Sequence, residues 1–305
     1  MDHYRREYMK IARKMTLSDI QGGAESDDLS LDNLIAGGRV KQSSNYFMGV
    51  FSKAGLMYIV KAFGLVKDME KRGLKNIKIE IDTNDPHTHR LYAYAGKICD
   101  NNKICEMVLK QGPVHFSGGF LSQFPNKNPS FLQVEWLLLQ NPTKQFDDKR
   151  PQLPGQKHPG LGIGDQMMQL MIIMTRRLHL EGIINKPRYF HTAFMFTKEF
   201  IFTNPRNQAI LMAIDRDLLS KYNVHTVAWA AHFDCIINQV SGSDLIWDPD
   251  FLILPLKKYL IKYFRSKDFH KEVDLQAKKF KFSINTEKFL KCAHKNKIKI
   301  YEKLV

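Results

Sequence analysis

The stretch from Phe131 to Gly182 constrains the fold most. Phe131–Leu139 is nearly all apolar, which predicts a central strand buried on both faces of a sheet. Gln140 to Pro159 follows, a long loop holding four of the chain's twelve prolines. Loops longer than about 15 residues inside a domain are usually functional. The loop ends in Gln156-Lys157-His158-Pro159-Gly160-Leu161-Gly162-Ile163-Gly164, with three alternate glycines. A helix is expected from Gly162 to about Leu180, with Ile163, Met167, Leu170, Met171, Met174 and Leu178 as its apolar stripe and Gly182 as its stop. A strand, a glycine-rich turn and a helix in this order bring free backbone amides to one point. Such a point suits an anion.

The flanking sequence predicts a mixed α/β chain. Residues 1–20 carry Met9, Ile11, Ala12 and Met15 at helical spacing, and residues 21–31 read as a polar loop. Apolar residues recur from Tyr46 to Glu70, a helix or a helix pair broken near Gly55, with Gly73 as a stop. The period then changes to twofold: Ile77, Ile79 and Ile81 alternate with Lys78, Glu80 and Asp82, a strand. Further strands are expected at Arg90–Tyr94 and Ile104–Lys110, joined by the Asp100-Asn101-Asn102 turn. After the loop helix come a strand at Ile183–Ile184, a helix near Tyr189–Glu199 and a strand at Phe200–Thr203. Helices at Ile210–Leu219, Val224–Ile237 and Lys257–Phe264 are also expected, with strands at Leu252–Leu254 and Phe280–Ile284.

Charge and cysteine content narrow the function classes. The 305 residues carry 46 Lys and Arg against 31 Asp and Glu, a formal charge of +15. From Lys257 to Val305 there are 15 basic and 5 acidic residues, so two thirds of the excess lies in the last 49. Such a segment binds nucleic acid or anionic lipid by releasing counterions. Without a reading motif, a solvated lysine-rich surface is the favoured explanation, and nucleic acid is not the favoured partner. Cys99, Cys105, Cys235 and Cys292 form no CxxC pair and read as reduced thiols. No apolar run approaches the roughly 20 residues of a membrane span, and Met1–Lys10 is no signal peptide. The expected location is the cytoplasm.

Gly162-Ile163-Gly164 before an amphipathic helix resembles the pyrophosphate loop of the GNAT superfamily of acyl-CoA-dependent N-acyltransferases, whose pattern is Gln/Arg-x-x-Gly-x-Gly/Ala. The order of elements over roughly residues 76 to 203 is similar too. Ala193–Phe202 resembles the family's closing Ala-x-x-x-Tyr-Glu-Lys-x-Gly-Phe segment. Val134–Pro142 and the run Leu153-Pro154-Gly155-Gln156-Lys157-His158-Pro159-Gly160-Leu161-Gly162 are also similar to a group of uncharacterised bacterial proteins of comparable length, described as acetyltransferase-like. The departures are specific. The Gln/Arg position falls on Pro159, or on Lys157 if the glycines shift by two. The tyrosine that often serves as general acid falls on Thr197, and the late glycine on Ile201.

The resemblance implies acetyl-CoA or another acyl-CoA as cosubstrate and an amine-bearing acceptor. Lys157, Gly160, Leu161, Gly162, Ile163, Gly164 and Asp165 would form the cofactor loop. Asp165, in the first turn, favours the free helix and repels a bound pyrophosphate. An amine acetyl transfer needs a base and an acid. Glu135 is the candidate base, since burial in an apolar strand would raise its pKa; the alternative is a side chain projecting from a sheet face or paired with arginine. Tyr189 and His191 are candidate proton donors, with packing as their alternative. Asp82, Asp85, His87 and His89 have ligand-type side chains, but the Asp85-Pro86 turn accounts for the acids, and no metal is expected.

The expected fold is therefore α/β (α+β), a GNAT-like mixed central sheet flanked by helices. A helical N-terminal extension would cover residues 1–75, the GNAT-like domain 76–215, and a mixed basic C-terminal extension 216–305. The function implied is an acyl-CoA-dependent N-acyltransferase of unknown acceptor. The alternatives are a non-catalytic GNAT-like binding protein and a nucleic-acid-associated protein using the basic segment.

Overall fold

The computed structural model describes residues 2–21, 45–116, 120 and 128–302. The chain is a mixed α/β protein made of two compact units. The first comprises Met1–Gly112, Leu132–Gln145 and Gly160–His179; the second comprises Pro113–Phe131, Phe146–Pro159 and Leu180–Val305. The polar loop expected at residues 21–31 falls, apart from Gln21, outside the described residues. Among the described residues no helix is long and apolar enough to cross a membrane.

The first unit opens with α1 (Asp2–Lys14) and α2 (Leu17–Gln21). The break between them is a reciprocal cap: Thr16 N–H donates to Asp19 Oδ2 at 2.7 Å, and Asp19 N–H donates to Thr16 Oγ1 at 3.2 Å. Helix α3 (Lys53–Ala62) starts at Ser52, whose hydroxyl accepts the Gly55 N–H at 2.9 Å. Gly55 does not break the helix. It lies in the first turn, where a Cβ would collide with the Ile20 carbonyl. The break falls instead at Phe63-Gly64, with Gly64 in the left-handed region at φ +77°, before α4 (Leu65–Lys71).

Strands β1 (Ile77–Asp82), β2 (Thr88–Ala95) and β3 (Lys103–Pro113) form an antiparallel meander with Ile79 opposite Ala93 and Leu91 opposite Met107. Strand β4 (Ser130–Leu139) lies beside β3. Helix α5 (Gly164–Arg177) buries Met167, Met171 and Met174. It ends at Leu178, and His179 takes the left-handed conformation at φ +56°. Gly182 is therefore not its stop. The fully buried central strand is also corrected: Phe131 and Leu132 are buried, but Val134 and Leu137–Leu139 are half-buried, and Glu135 and Trp136 are exposed. An apolar run alone does not reveal that a strand's second half lies open.

The second unit holds β5 (Gly182–Asn185), α6 (Phe190–Phe196), β6 (Ile201–Phe202), α7 (Pro205–Ile214), α8 (Val224–His232), β7 (Ile236–Asn238), β8 (Ser243–Asp244), β9 (Leu252–Pro255), α9 (Lys258–Phe264), α10 (Lys267–Ala277), β10 (Phe282–Ile284) and α11 (Thr286–Lys295). Strand β9 pairs antiparallel with both β5 and β6, and β7 lies between β10 and β8. Gly182 is a strand residue because the Leu254 carbonyl occupies the space its Cβ would need. Apolar residues of the basic C-terminal segment belong to this unit's core. Leu260, Phe264, Phe269 and Val273 share one core with Ile184, Ala209 and Ile253. Helices α10 and α11 are capped by the Ser266 hydroxyl and the Asn285 carboxamide, which accept the Phe269 and Lys288 N–H groups.

Candidate functional site

In the first unit the glycine-rich loop is pinned to the end of β4. The Leu161 N–H donates to the Leu139 carbonyl at 3.2 Å, and Gln140 bridges Gly160. Gln140 is itself fixed, its N–H donating to the Ile104 carbonyl and its Nε2 to the Lys103 carbonyl, both at 3.0 Å. From there the side chains alternate. Leu161 and Ile163 are buried, whereas Gly160, Gly162, Gly164 and Asp165 are exposed. Gly162 is in the left-handed region at φ +72°, and no atom lies within 4 Å of where a Gly164 Cβ would stand. Helix α5 begins at Gly164 with Ile163 at the cap position and no side chain capping it. Its first amides lack intrahelical partners and carry the positive end of the helix dipole.

A cation stands beside the loop. Arg72, just past the end of α4, donates Nη1–H to the Asp68 carbonyl at 2.6 Å and Nη2–H to the Gly162 carbonyl at 3.2 Å. Sequence reasoning missed Arg72, because 90 residues separate it from Gly162. Exposed backbone, an open helix start and a guanidinium make this a place for an anionic ligand. Asp165, exposed in the first turn, opposes that charge.

Glu135 is not buried. Its side chain is 45% exposed on β4 and pairs with Lys110 of β3 at 3.5 Å. The burial expected of it is missing, because the strand projects this residue into solvent. Lys157 is exposed and belongs to the second unit, whereas Gly160–Asp165 belong to the first.

Tyr189 and His191 do come together, in the second unit. Tyr189 is the residue before α6, and its ring stacks on His191 with centroids 5.5 Å apart and planes 18° from parallel. His232 of α8 meets Tyr189 edge-on at 5.8 Å, and Trp229 lies 5.5 Å from His232. Trp229 Nε1–H donates to the Gln152 carbonyl at 2.9 Å, which ties α8 to the Leu153–Pro159 stretch. Gly155, at φ +78°, lies so close to the Tyr189 ring that a Cβ there would stand 2.6 Å from it. His191 is only 4% exposed, and its Nδ1 has no hydrogen-bond partner among the described residues. Burial pushes its pKa down to about 4, and the neighbouring His232 acts in the same direction. The imidazole is therefore neutral near pH 7 and serves the packing of an aromatic cluster.

The Asp82–His89 cluster is likewise spent on structure. Asp85 Oδ1 accepts the His87 and Thr88 N–H groups, and His89 Nδ1 accepts the Met48 N–H at 2.7 Å. His158 is half-buried in its loop. All four cysteines are free thiols.

No protein-family model matches the sequence, and a search of curated proteins returns no match. The site thus stands on its own geometry.

The first unit also holds an apolar cavity of about 100 Å³. Leu161 and Ile163 line it from the loop, and Met167, Met171 and Met174 line it from α5.

Proposed function

We propose that the chain is an acyl-CoA-dependent N-acyltransferase that transfers an acyl group to an amine in the cytoplasm. One observation carries this reading. The loop exposes the backbone at Gly160, Gly162 and Gly164, turns from the end of β4 into an uncapped helix, and has the Arg72 guanidinium beside it. These groups suit a pyrophosphate: amides and a dipole end for the charge, glycines for close approach, and a fork of N–H donors from arginine. The half-buried second half of β4 offers extended backbone to the pantetheine arm. The succession β1–β4, loop, α5, β5, α6, β6 agrees with the family resemblance.

In this reaction the acceptor nitrogen attacks the thioester carbonyl, a base takes the proton from nitrogen, and the thiolate leaves and is protonated. Glu135 is the carboxylate of β4 available as base, acting through water. Its exposure and its pairing with Lys110 favour a second reading, in which the protein binds acyl-CoA without transferring the acyl group.

Calorimetry with acetyl-CoA tests the shared premise, and thiol release in the presence of amines separates the two readings. Saturable binding with thiol release supports transfer. Binding without release supports the second reading, and no binding by the folded chain overturns both.

A further inference from the structure

We propose that Cys235 and Cys292 of the second unit form a peroxide-sensitive dithiol, a site of reversible disulfide formation within one chain. This does not rest on the acyl-CoA reading.

The backbone brings the two residues together. Cys235 lies between α8 and β7, and its N–H donates to the Ala230 carbonyl at 2.8 Å. The start of α11 is fastened to the same point. Asn285 N–H donates to the Cys235 carbonyl at 2.8 Å, and Lys288 Nζ donates to the Asp234 carbonyl at 2.6 Å. Cys292 lies one turn beyond Lys288, on the same side of α11. Its thiol is within hydrogen-bond reach of the Cys235 sulfur. Both thiols are free, with Cys235 fully buried and Cys292 half-buried.

These placements divide the chemistry between the two sulfurs. Cys292 is the one that a peroxide can meet. Its thiolate attacks one oxygen of hydrogen peroxide, the O–O bond breaks, and the released hydroxide takes the thiol's proton and leaves as water. Cys292 is then a sulfenic acid. The Cys235 sulfur attacks the Cys292 sulfur, forms the S–S bond and displaces hydroxide, which leaves as a second water with the proton that Cys235 gives up. Two thiols and one peroxide become one disulfide and two waters, the sulfurs losing the two electrons that the peroxide gains. Burial, with Cys292 beside it, pushes the Cys235 thiol up to about 12, so Cys235 is a poor target for peroxide itself and acts as the resolving thiol. The Lys288 ammonium acts the other way and favours the thiolate that the second step needs.

The test treats the full folded chain with hydrogen peroxide, blocks the remaining thiols with iodoacetamide in denaturant, and maps the peptides by mass spectrometry. The expected product is a peptide pair joined through Cys235 and Cys292, lighter by two hydrogen atoms than the reduced pair, formed in the monomer and reversed by dithiothreitol. Cys235→Ser should leave Cys292 as a sulfenic acid that dimedone traps. Cys292→Ser should leave Cys235 reduced under the same treatment. The unsubstituted chain decides the matter where a variant fails to fold, with Cys99, exposed in the first unit, as its internal reference. Cys235 still alkylated in chains whose Cys99 or Cys292 has been oxidised overturns the pair. A link between Cys235 and Cys292 that forms only after urea has unfolded the chain overturns it too.

Discussion

Lowering the pH from 7 toward 4 should cost the second unit about 3 kcal/mol through His191 alone. The imidazole is 4% exposed, and its Nδ1 finds no partner among the described residues. Desolvation therefore holds its pKa at about 4 instead of 6.5. The sign follows from which state binds the proton. Below pH 6.5 the unfolded chain takes up a proton at this residue and the folded chain does not, so acid favours unfolding. Stability is complete above about pH 6.5, falls steadily to about pH 4, and then levels off as both states become protonated. The gap between 6.5 and about 4, at 1.36 kcal/mol per pH unit, amounts to about 3 kcal/mol. His225, in the same unit, is also shifted downward by burial and adds to the loss in the same direction. The comparison that isolates His191 is His191→Phe, which keeps a ring against Tyr189 and carries no proton. Urea unfolding between pH 7.5 and 4.5, followed by tryptophan fluorescence, should show a variant whose loss is about 2.5 kcal/mol smaller. Parallel curves for the two proteins, or an imidazole titrating near 6.5 by NMR in the folded chain, would refute the reasoning.

Three further outcomes follow from the same contacts. Gly155→Ala should cost at least about 1–3 kcal/mol in thermal unfolding, since φ +78° strains alanine and its methyl group meets the Tyr189 ring; a neutral effect would show that the ring moves freely. Leu260→Ala should cost about 2–5 kcal/mol, because this basic segment is core, and an unchanged melting temperature would return it to the status of a solvated tail. Lys110→Ala should change stability by no more than about 1 kcal/mol, as both partners of its ion pair with Glu135 are well exposed; a larger loss in denaturant titration would contradict the exposed placement of that pair.

What could be read from the sequence was whatever is set locally. The twofold run of Ile77, Ile79 and Ile81 became β1, and Gly73 did follow the end of α4, with φ +85°. The helix after the glycine loop formed within two residues of its expected start. Errors came where a glycine's role depends on a distant neighbour. Gly55 and Gly182 look like breakers, yet each is a regular helix or strand residue selected by a carbonyl from another element. Conversely, α5 was stopped by His179, a residue with no breaker signature. Helices α10 and α11 escaped notice because lysines masked their short apolar stripes, Phe269 with Val273 and Phe289 with Ala293. The site shows the same division. The alternation of exposed glycines with buried Leu161 and Ile163 was implicit in the spacing. The placement of Arg72, the exposure of Glu135 and the burial of His191 are tertiary facts with no local signal.

The central claim is that the loop from Gly160 to Asp165 holds the anionic part of acyl-CoA. The most direct measurement is acetyl-CoA calorimetry on the full chain, its Gly162→Val variant and its Arg72→Ala variant, with folding of each checked by circular dichroism. Gly162 occupies a backbone conformation, φ +72°, that valine resists. Its substitution should remove measurable binding, and loss of the guanidinium should weaken binding about tenfold, about 1.4 kcal/mol. Equal acetyl-CoA affinity in all three folded proteins, or no binding by the unsubstituted chain, would contradict the account.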